Sequence, residues 1–140
     1  MHKNFFHKVK VYYEDTDVGG VVYYANYLKF IERARTEALV TLGFSNKKIK
    51  DDFGALIIVK SCNIEYKKSA YLEDELNIRS FIKSVTKTSF IMNQFITRGD
   101  ELIVEAVIHL VFINNKGTPM QVPNIILHDF KPYFCDSIKS

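Results

Sequence analysis

Within residues 14–37, EDTDVGGVVYYANYLKFIERARTE, an acidic turn and two glycines run directly into a helix start. Such a junction sets a carboxylate, Asp17, near unpaired backbone amides and the positive end of a helix dipole. That arrangement can polarise a carbonyl while presenting a base. Gly19 and Gly20 allow a sharp turn and a close approach to the backbone amides. The same residues admit blander and rival readings. Asp15 and Asp17 could be turn formers whose side chains bond nearby amides. The D-x-D spacing could hold a divalent ion or supply the aspartyl nucleophile of a phosphatase. Those phosphatases are usually larger α/β domains, and the chain offers no second cluster of ligands.

The elements that must position this segment follow from periodicity. Val9, Val11 and Tyr13 alternate with Lys8, Lys10 and Tyr12, which predicts a half-buried strand over residues 7–13. From Asn26 to Leu42 the period turns helical, with Tyr27, Ile31, Ala34, Ala38 and Leu42 on one face, Asn26 as N-cap and Gly43 as the stop. Residues 46–52, NKKIKDD, read as a polar connector. Four strands follow. The first starts at Ala55 and sets Leu56, Ile58, Cys62, Ile64 and Tyr66 on alternate positions; the second carries Leu76, Ile78 and Ile82 and the third Phe90, Met92 and Ile96. The last carries Leu102, Val104, Ala106, Ile108, Leu110 and Phe112, and Arg98-Gly99-Asp100 makes the hairpin turn before it. The segment from Pro119 shows no readable pattern. One helix followed by a meander predicts an α+β fold in a single domain, residues 1–140, whose mostly antiparallel sheet buries one face against that helix.

Composition narrows the function. The chain has 140 residues, 47% hydrophobic and 25% charged, which excludes disorder and collagen-like structure. A net charge of +3 is spread along the chain, with no concentrated basic stripe, so no nucleic-acid partner is expected, while a small anionic ligand suits it. The two cysteines, Cys62 and Cys135, make neither a disulfide scaffold nor a metal motif, and no metal site is expected. Cys62 reads as a small core residue, and His109 and His128 lack triad partners. No secretory leader and no apolar run of about 20 residues is visible, so the expectation is a cytoplasmic protein without a membrane span.

The motifs Tyr12-Tyr13-Glu14-Asp15-Thr16-Asp17, Gly19-Gly20-Val21-Val22-Tyr23, Ala25-Asn26-Tyr27 and Glu32-Arg33-Ala34-Arg35-Thr36-Glu37 resemble, nearly position by position, the small acyl-CoA thioesterases of the hotdog fold. The resemblance is strongest to the tol-pal-associated branch and the related 4-hydroxybenzoyl-CoA thioesterases, and covers residues 7 to about 130 by coarse alignment. It implies a five-stranded sheet wrapped around the helix, pairing into a homodimer or homotetramer with active sites between subunits. It also implies hydrolysis of an acyl-CoA to a free acid and CoA without metal or redox cofactor.

By that resemblance Asp17 matches the catalytic carboxylate, acting as general base or as nucleophile through a mixed anhydride. The backbone N–H of Tyr24 matches the donor that polarises the thioester carbonyl. The tol-pal branch commonly carries His where Tyr24 stands, whereas the 4-hydroxybenzoyl branch can carry Tyr. Glu32 corresponds to an acid near the acyl end in the latter branch, against the alternative of a surface pair with a neighbouring Arg. Lys87 and Thr88, within Ser84-Val85-Thr86-Lys87-Thr88-Ser89, resemble the region facing the CoA phosphates. Lys60 could approach the ligand from a facing subunit; for all three the alternative is plain solvent exposure.

Two other functions remain open from sequence. A hotdog dehydratase needs a His near the helix entrance, which this chain lacks. A non-catalytic acyl- or protein-binding module of the cell-envelope tol-pal system would not need Asp17. An acyl carrier protein in place of CoA as thiol carrier is a further open partner.

Overall fold

The computed structural model describes residues 2–135 of the chain. Its central helix α1 (Tyr24–Thr41) buries Tyr27, Phe30, Ile31, Ala34, Ala38 and Leu39, the apolar stripe expected from the sequence with Leu42 displaced to the C-cap. At 18 residues the helix is about 27 Å long, enough to cross the sheet beneath it.

That sheet consists of β1 (Phe5–Lys10), β2 (Leu56–Tyr66), β3 (Glu75–Val85), β4 (Ser89–Arg98) and β5 (Glu101–Ile113). The spatial order is β1-β3-β4-β5-β2, and every neighbouring pair is antiparallel. Leu76, Ile78 and Ile82 of β3, Phe90, Met92 and Ile96 of β4, and Val104, Ala106, Ile108 and Leu110 of β5 form one buried cluster with the α1 stripe. Complete burial of one such side chain is worth roughly 1.5–3 kcal/mol, so helix and sheet hold each other in place. A sheet wrapped on one helix is the α+β hotdog arrangement that the sequence predicts.

Inside this apolar layer lies one fully buried amide, Gln94. Its Nε2 donates to the Ile31 carbonyl and the Ser80 hydroxyl, both at 3.1 Å, and its Oε1 accepts from Arg35 at 3.2 Å. The group is therefore paired, as burial demands, and it fixes the middle of α1 against β3 and β4.

Several local expectations are corrected. β1 ends at Lys10, and Tyr13, expected inward, is 81% exposed in a 3-10 turn over Tyr13–Asp15. The expected connector at residues 46–52 is a second helix, α2 (Asn46–Phe53), capped by the Ser45 hydroxyl and stopped by Gly54 at φ 63°. It is anchored by Ile49, with only one apolar side chain per turn, too sparse a pattern to stand out among charges. The unread segment after Pro119 forms α3 (Asn124–Phe130), which buries Ile126 and Phe130. Phe5 stacks on Tyr133 with ring centroids 3.8 Å apart, while Phe6 points outward at 72% exposure.

β2 departs most from its expected alternation. It is the sheet edge, paired only with β5, and its register shifts between Val59 and Ser61. This bulge at Lys60 reverses the inward phase. Ile57 and Val59 line a cavity beneath α1, Tyr66 packs against Tyr24 and Tyr27, and Leu56 and Ile58 remain exposed at 43% and 44%. Cys62, expected in the core, is exposed on this edge strand.

Candidate active site

The acidic turn is built by short-range hydrogen bonds. The Asp15 carboxylate accepts the Tyr12 amide at 2.9 Å, closing the 3-10 turn. Its backbone carbonyl accepts the Tyr23 amide at 3.0 Å and the Asn26 side-chain amide at 2.8 Å, tying the turn to the first turn of α1. Between these anchors the chain forms a tight hairpin: Thr16 bridges Val22, and the Asp17 amide donates to the Val21 carbonyl at 2.9 Å. Gly20 closes it at φ 78°, a conformation most side chains resist.

Asp17 is exposed at the tip of this hairpin, where its Oδ1 accepts the Gly19 amide at 2.9 Å. Its Oδ2 makes no hydrogen bond among the described residues. The turn-former reading thus accounts for one oxygen of each carboxylate, Asp15 Oδ2 and Asp17 Oδ1, and Asp17 is the exposed one of the two. A β-carbon at Gly19 would stand 3.4 Å from Asp17 Oδ1, in van der Waals contact with the carboxylate.

Helix α1 begins where the hairpin ends. Its N-cap is Tyr23, not the expected Asn26, and no side chain caps the helix. Asn26, 8% exposed, spends its side chain on the Asp15 carbonyl, while its own amide donates to the Tyr23 carbonyl at 2.8 Å. The Tyr24 N–H has no acceptor among the described residues, as befits the first turn of a helix, where amide dipoles create a positive end. The Tyr24 ring is exposed and lies 4.9 Å from the Tyr23 ring and 6.1 Å from that of Tyr66. The Tyr24 hydroxyl beside it raises the Tyr23 phenol above its ordinary pKa.

Sequence reasoning missed the segment that backs the hairpin, residues 67–74, KKSAYLED. The Val22 amide donates to Ala70 at 2.8 Å, the Leu72 amide to Gly20 at 3.2 Å, and Tyr71 bridges Val21. The Ala70 amide in turn donates to the buried Tyr27 hydroxyl at 2.9 Å, and burial pushes that phenol's pKa up. The usable sequence signal was only a turn-like mix of small and charged residues.

The hairpin that carries Asp17 runs into the first turn of α1 at Tyr24, and the other expected site residues lie apart from it. Glu32 lies two turns along α1, about 12 Å from Tyr24, and accepts the Thr36 hydroxyl at 2.8 Å. With Arg35, Ile57, Val59 and Met92 it lines a cavity of about 170 Å³. Burial lowers the Arg35 pKa, and the nearby Glu32 partly offsets this. Lys60 stands exposed at the β2 bulge. Lys87 and Thr88 occupy the β3–β4 turn, at the far end of β4 from Arg98 and so about 30 Å from the hairpin side of the sheet. There the Lys87 and Thr88 carbonyls accept Val122 and Phe112 amides at 2.9 Å. The Cys62 thiol is pushed up in pKa by partial desolvation, the opposite of an activated thiolate. His109 pairs with the Ser89 hydroxyl at 3.0 Å, away from Asp17 on the sheet.

A helix wrapped by an antiparallel sheet, with an acidic hairpin at the helix entrance, defines the thioesterase-like class, and the family model of the Thioesterase-like superfamily matches residues 11–130. The chain is 40% identical over 125 residues to an acyl-CoA thioester hydrolase YbgC of Escherichia coli O6:H1, covering 88% of this chain and 92% of that one. It is 35% identical over 124 residues to the acyl-CoA thioesterase YbgC of Haemophilus influenzae, covering 88% and 91% respectively. The crystal structure of a probable thioesterase from Bartonella henselae superposes with a TM-score of 0.83 at 31% identity, covering 86% of this chain and all of that one. The chain belongs to the YbgC family of acyl-CoA thioesterases within that superfamily.

Proposed function

We propose that this protein hydrolyses acyl-CoA thioesters, with Asp17 as the catalytic carboxylate and the Tyr24 amide as the carbonyl-polarising donor. The observation that carries the reading is the hairpin itself, which holds a carboxylate oxygen and an N–H, both without a partner among the described residues, at the mouth of one helix. A thioester carbonyl accepting from Tyr24 N–H gains positive character at carbon, and the helix dipole stabilises the developing oxyanion. Asp17 then either takes a proton from an attacking water or attacks the carbon itself. In the first route the water oxygen bonds to the acyl carbon, the C–S bond breaks and the proton taken by Asp17 passes to the leaving sulfur. In the second the C–S bond breaks as an Asp17–acyl anhydride forms, and water then hydrolyses that anhydride, supplying the proton for the thiol and restoring Asp17. Both routes end in CoA thiol and the free acid.

The remaining site residues enter this reading through a second copy of the chain. β2 presents an unpaired edge with Leu56, Ile58, Val59 and Tyr66 exposed at 43–47%, which favours a homodimer joined edge to edge, itself able to pair into a tetramer. Across such a joint Lys60, Lys87 and Thr88 serve the CoA phosphates from the partner subunit, and Glu32 stands toward the acyl end. No helix among the described residues is long and apolar enough to cross a membrane. An acyl-CoA substrate fits a cytoplasmic activity.

The deciding experiment is thiol release from short-chain, long-chain and aromatic acyl-CoAs and from an acylated carrier protein, with Asp17→Asn alongside. Release that depends on Asp17 supports the assignment. Full turnover by Asp17→Asn refutes the base, and no release from any thioester favours a non-catalytic binding module.

A further inference from the structure

The loop of residues 69–74 holds both legs of the Asp17 hairpin. On the entering leg, the Val11 amide donates to Asp74 and the Glu73 amide to Val11, each at 2.9 Å. On the leaving leg, the Val22 amide donates to Ala70 and the Leu72 amide to Gly20. The loop is not an easy conformation for its sequence, since Glu73 sits at φ 68°, a region that non-glycine residues rarely occupy. Something outside the loop must hold it.

That restraint comes from Arg98 at the end of β4. Its Nη1 donates to Asp74 Oδ2 at 2.7 Å and to the Ser69 carbonyl at 3.1 Å, gripping the loop at both ends. The guanidinium lies 5.6 Å from the Tyr71 ring centre, and Asp74 Oδ2 also accepts the Tyr71 amide at 2.9 Å. Its other face reaches Glu101 at 3.2 Å across the two-residue β4–β5 turn, so the grip is anchored in the sheet. Both Arg98 and Asp74 are only 24% exposed, unlike the solvated pairs of the α2 surface.

We propose that Arg98 is a positioning residue for Asp17: by clamping residues 69–74 it fixes the hairpin that carries the carboxylate and leads into the Tyr24 amide. Arg98 touches neither Asp17 nor the substrate; it acts through the loop backbone. The catalytic half of the proposal rests on the thioesterase reading above.

The test compares full-length wild type, Arg98→Gln, Arg98→Lys and Asp74→Asn by kcat, KM, Tm and site-resolved amide hydrogen exchange. Ile49→Ala, which opens a cavity under α2, serves as a comparator for stability loss alone. Arg98→Gln should lower kcat about 10- to 100-fold with KM within about twofold, the signature of a misplaced carboxylate. Arg98→Lys, which restores the charge on Asp74 but not the fork, should recover part of it. The Val22 and Leu72 amides should exchange faster in Arg98→Gln and Asp74→Asn, and not in Ile49→Ala. Unchanged exchange at Val22 and Leu72 overturns the clamp whether or not the protein turns over thioesters. Faster exchange with wild-type kcat overturns the catalytic link, as does an equal kcat loss in Ile49→Ala. A wild type that hydrolyses no thioester overturns the thioesterase reading instead, and exchange still decides the clamp.

Discussion

The Tyr23 amide donates to the Asp15 carbonyl at 3.0 Å, closing the loop that carries Asp17 and leaving the next amide, that of Tyr24, without an acceptor among the described residues. One bond thereby sets where the acid ends and where the electrophilic end of α1 begins. The spacing between the Asp17 backbone and the Tyr24 N–H is set by the main chain, and the Gly19 amide on Oδ1 restrains the carboxylate itself.

Replacing Asp17 with Asn keeps a side-chain oxygen for the Gly19 amide and removes the base. Turnover of a responsive acyl-CoA should fall by about 10²- to 10⁴-fold while the melting temperature stays close to wild type, measured by thiol release and thermal denaturation.

Tyr24 separates side-chain from main-chain chemistry. Tyr24→Phe should retain most of the activity, because the proposed donor is the amide. Tyr24→Pro removes that amide at the first helical position, where proline is tolerated and where Tyr23, at ψ 129°, already has the backbone a following proline requires. A folded Tyr24→Pro with kcat lowered about 10²- to 10³-fold is the expected result; circular dichroism and kinetics on one preparation check both halves.

Asn26 ties the acidic turn to the helix through a bond that is mostly out of water. Asn26→Ala should cost about 1–3 kcal/mol in urea unfolding and lower kcat, because the Asp15 carbonyl loses one of its two donors and the hairpin can swing.

Gln94→Leu should also destabilise, by about 2 kcal/mol, since Ser80 and Arg35 lose their buried partner. It leaves the hairpin bonds intact, so at temperatures where the variant is folded its kcat should stay near that of wild type.

The Glu101 carboxyl is held below its ordinary pKa by hydrogen bonds from Arg98 and then Lys68. A depressed acid stabilises the fold above its unfolded pKa, and that contribution disappears as pH falls through the folded value. The wild type should therefore lose melting temperature on acidification below the ordinary carboxylate range, and Glu101→Gln should lose less over the same window.

How much of this was legible in sequence depended on whether the signal was local. The α1 stripe, the strands β3 to β5 and the Gly99-Asp100 turn follow from period and turn chemistry, so they match the structure closely. That Asp17 and Tyr24 lie close along the chain was equally readable, because only a hairpin of a few residues separates them. The backing loop was not, because Ala70 and Tyr71 meet the hairpin only after the chain has run through α1, α2 and β2. Likewise nothing local distinguishes Arg98 from a solvated turn residue, and Ile49 alone could not announce a helix. Lys87 and Thr88 were grouped with Asp17 through family likeness, and the sheet shows that one copy of the chain holds them at opposite ends.

The bulge at Lys60 has a consequence at the level of the gene. Loss of that single codon keeps the reading frame and restores perfect alternation along β2. The three-residue step from Val59 to Cys62 would become the two-residue step of a regular pleat, so Ile57 and Val59 at the cavity and Tyr66 at the aromatic contact would keep the face they now share. Exchange of Lys60 for another residue should leave that geometry standing as well, which makes this position tolerant of substitution and of deletion, whereas one residue added elsewhere in β2 would turn the side chains beyond it to the other face.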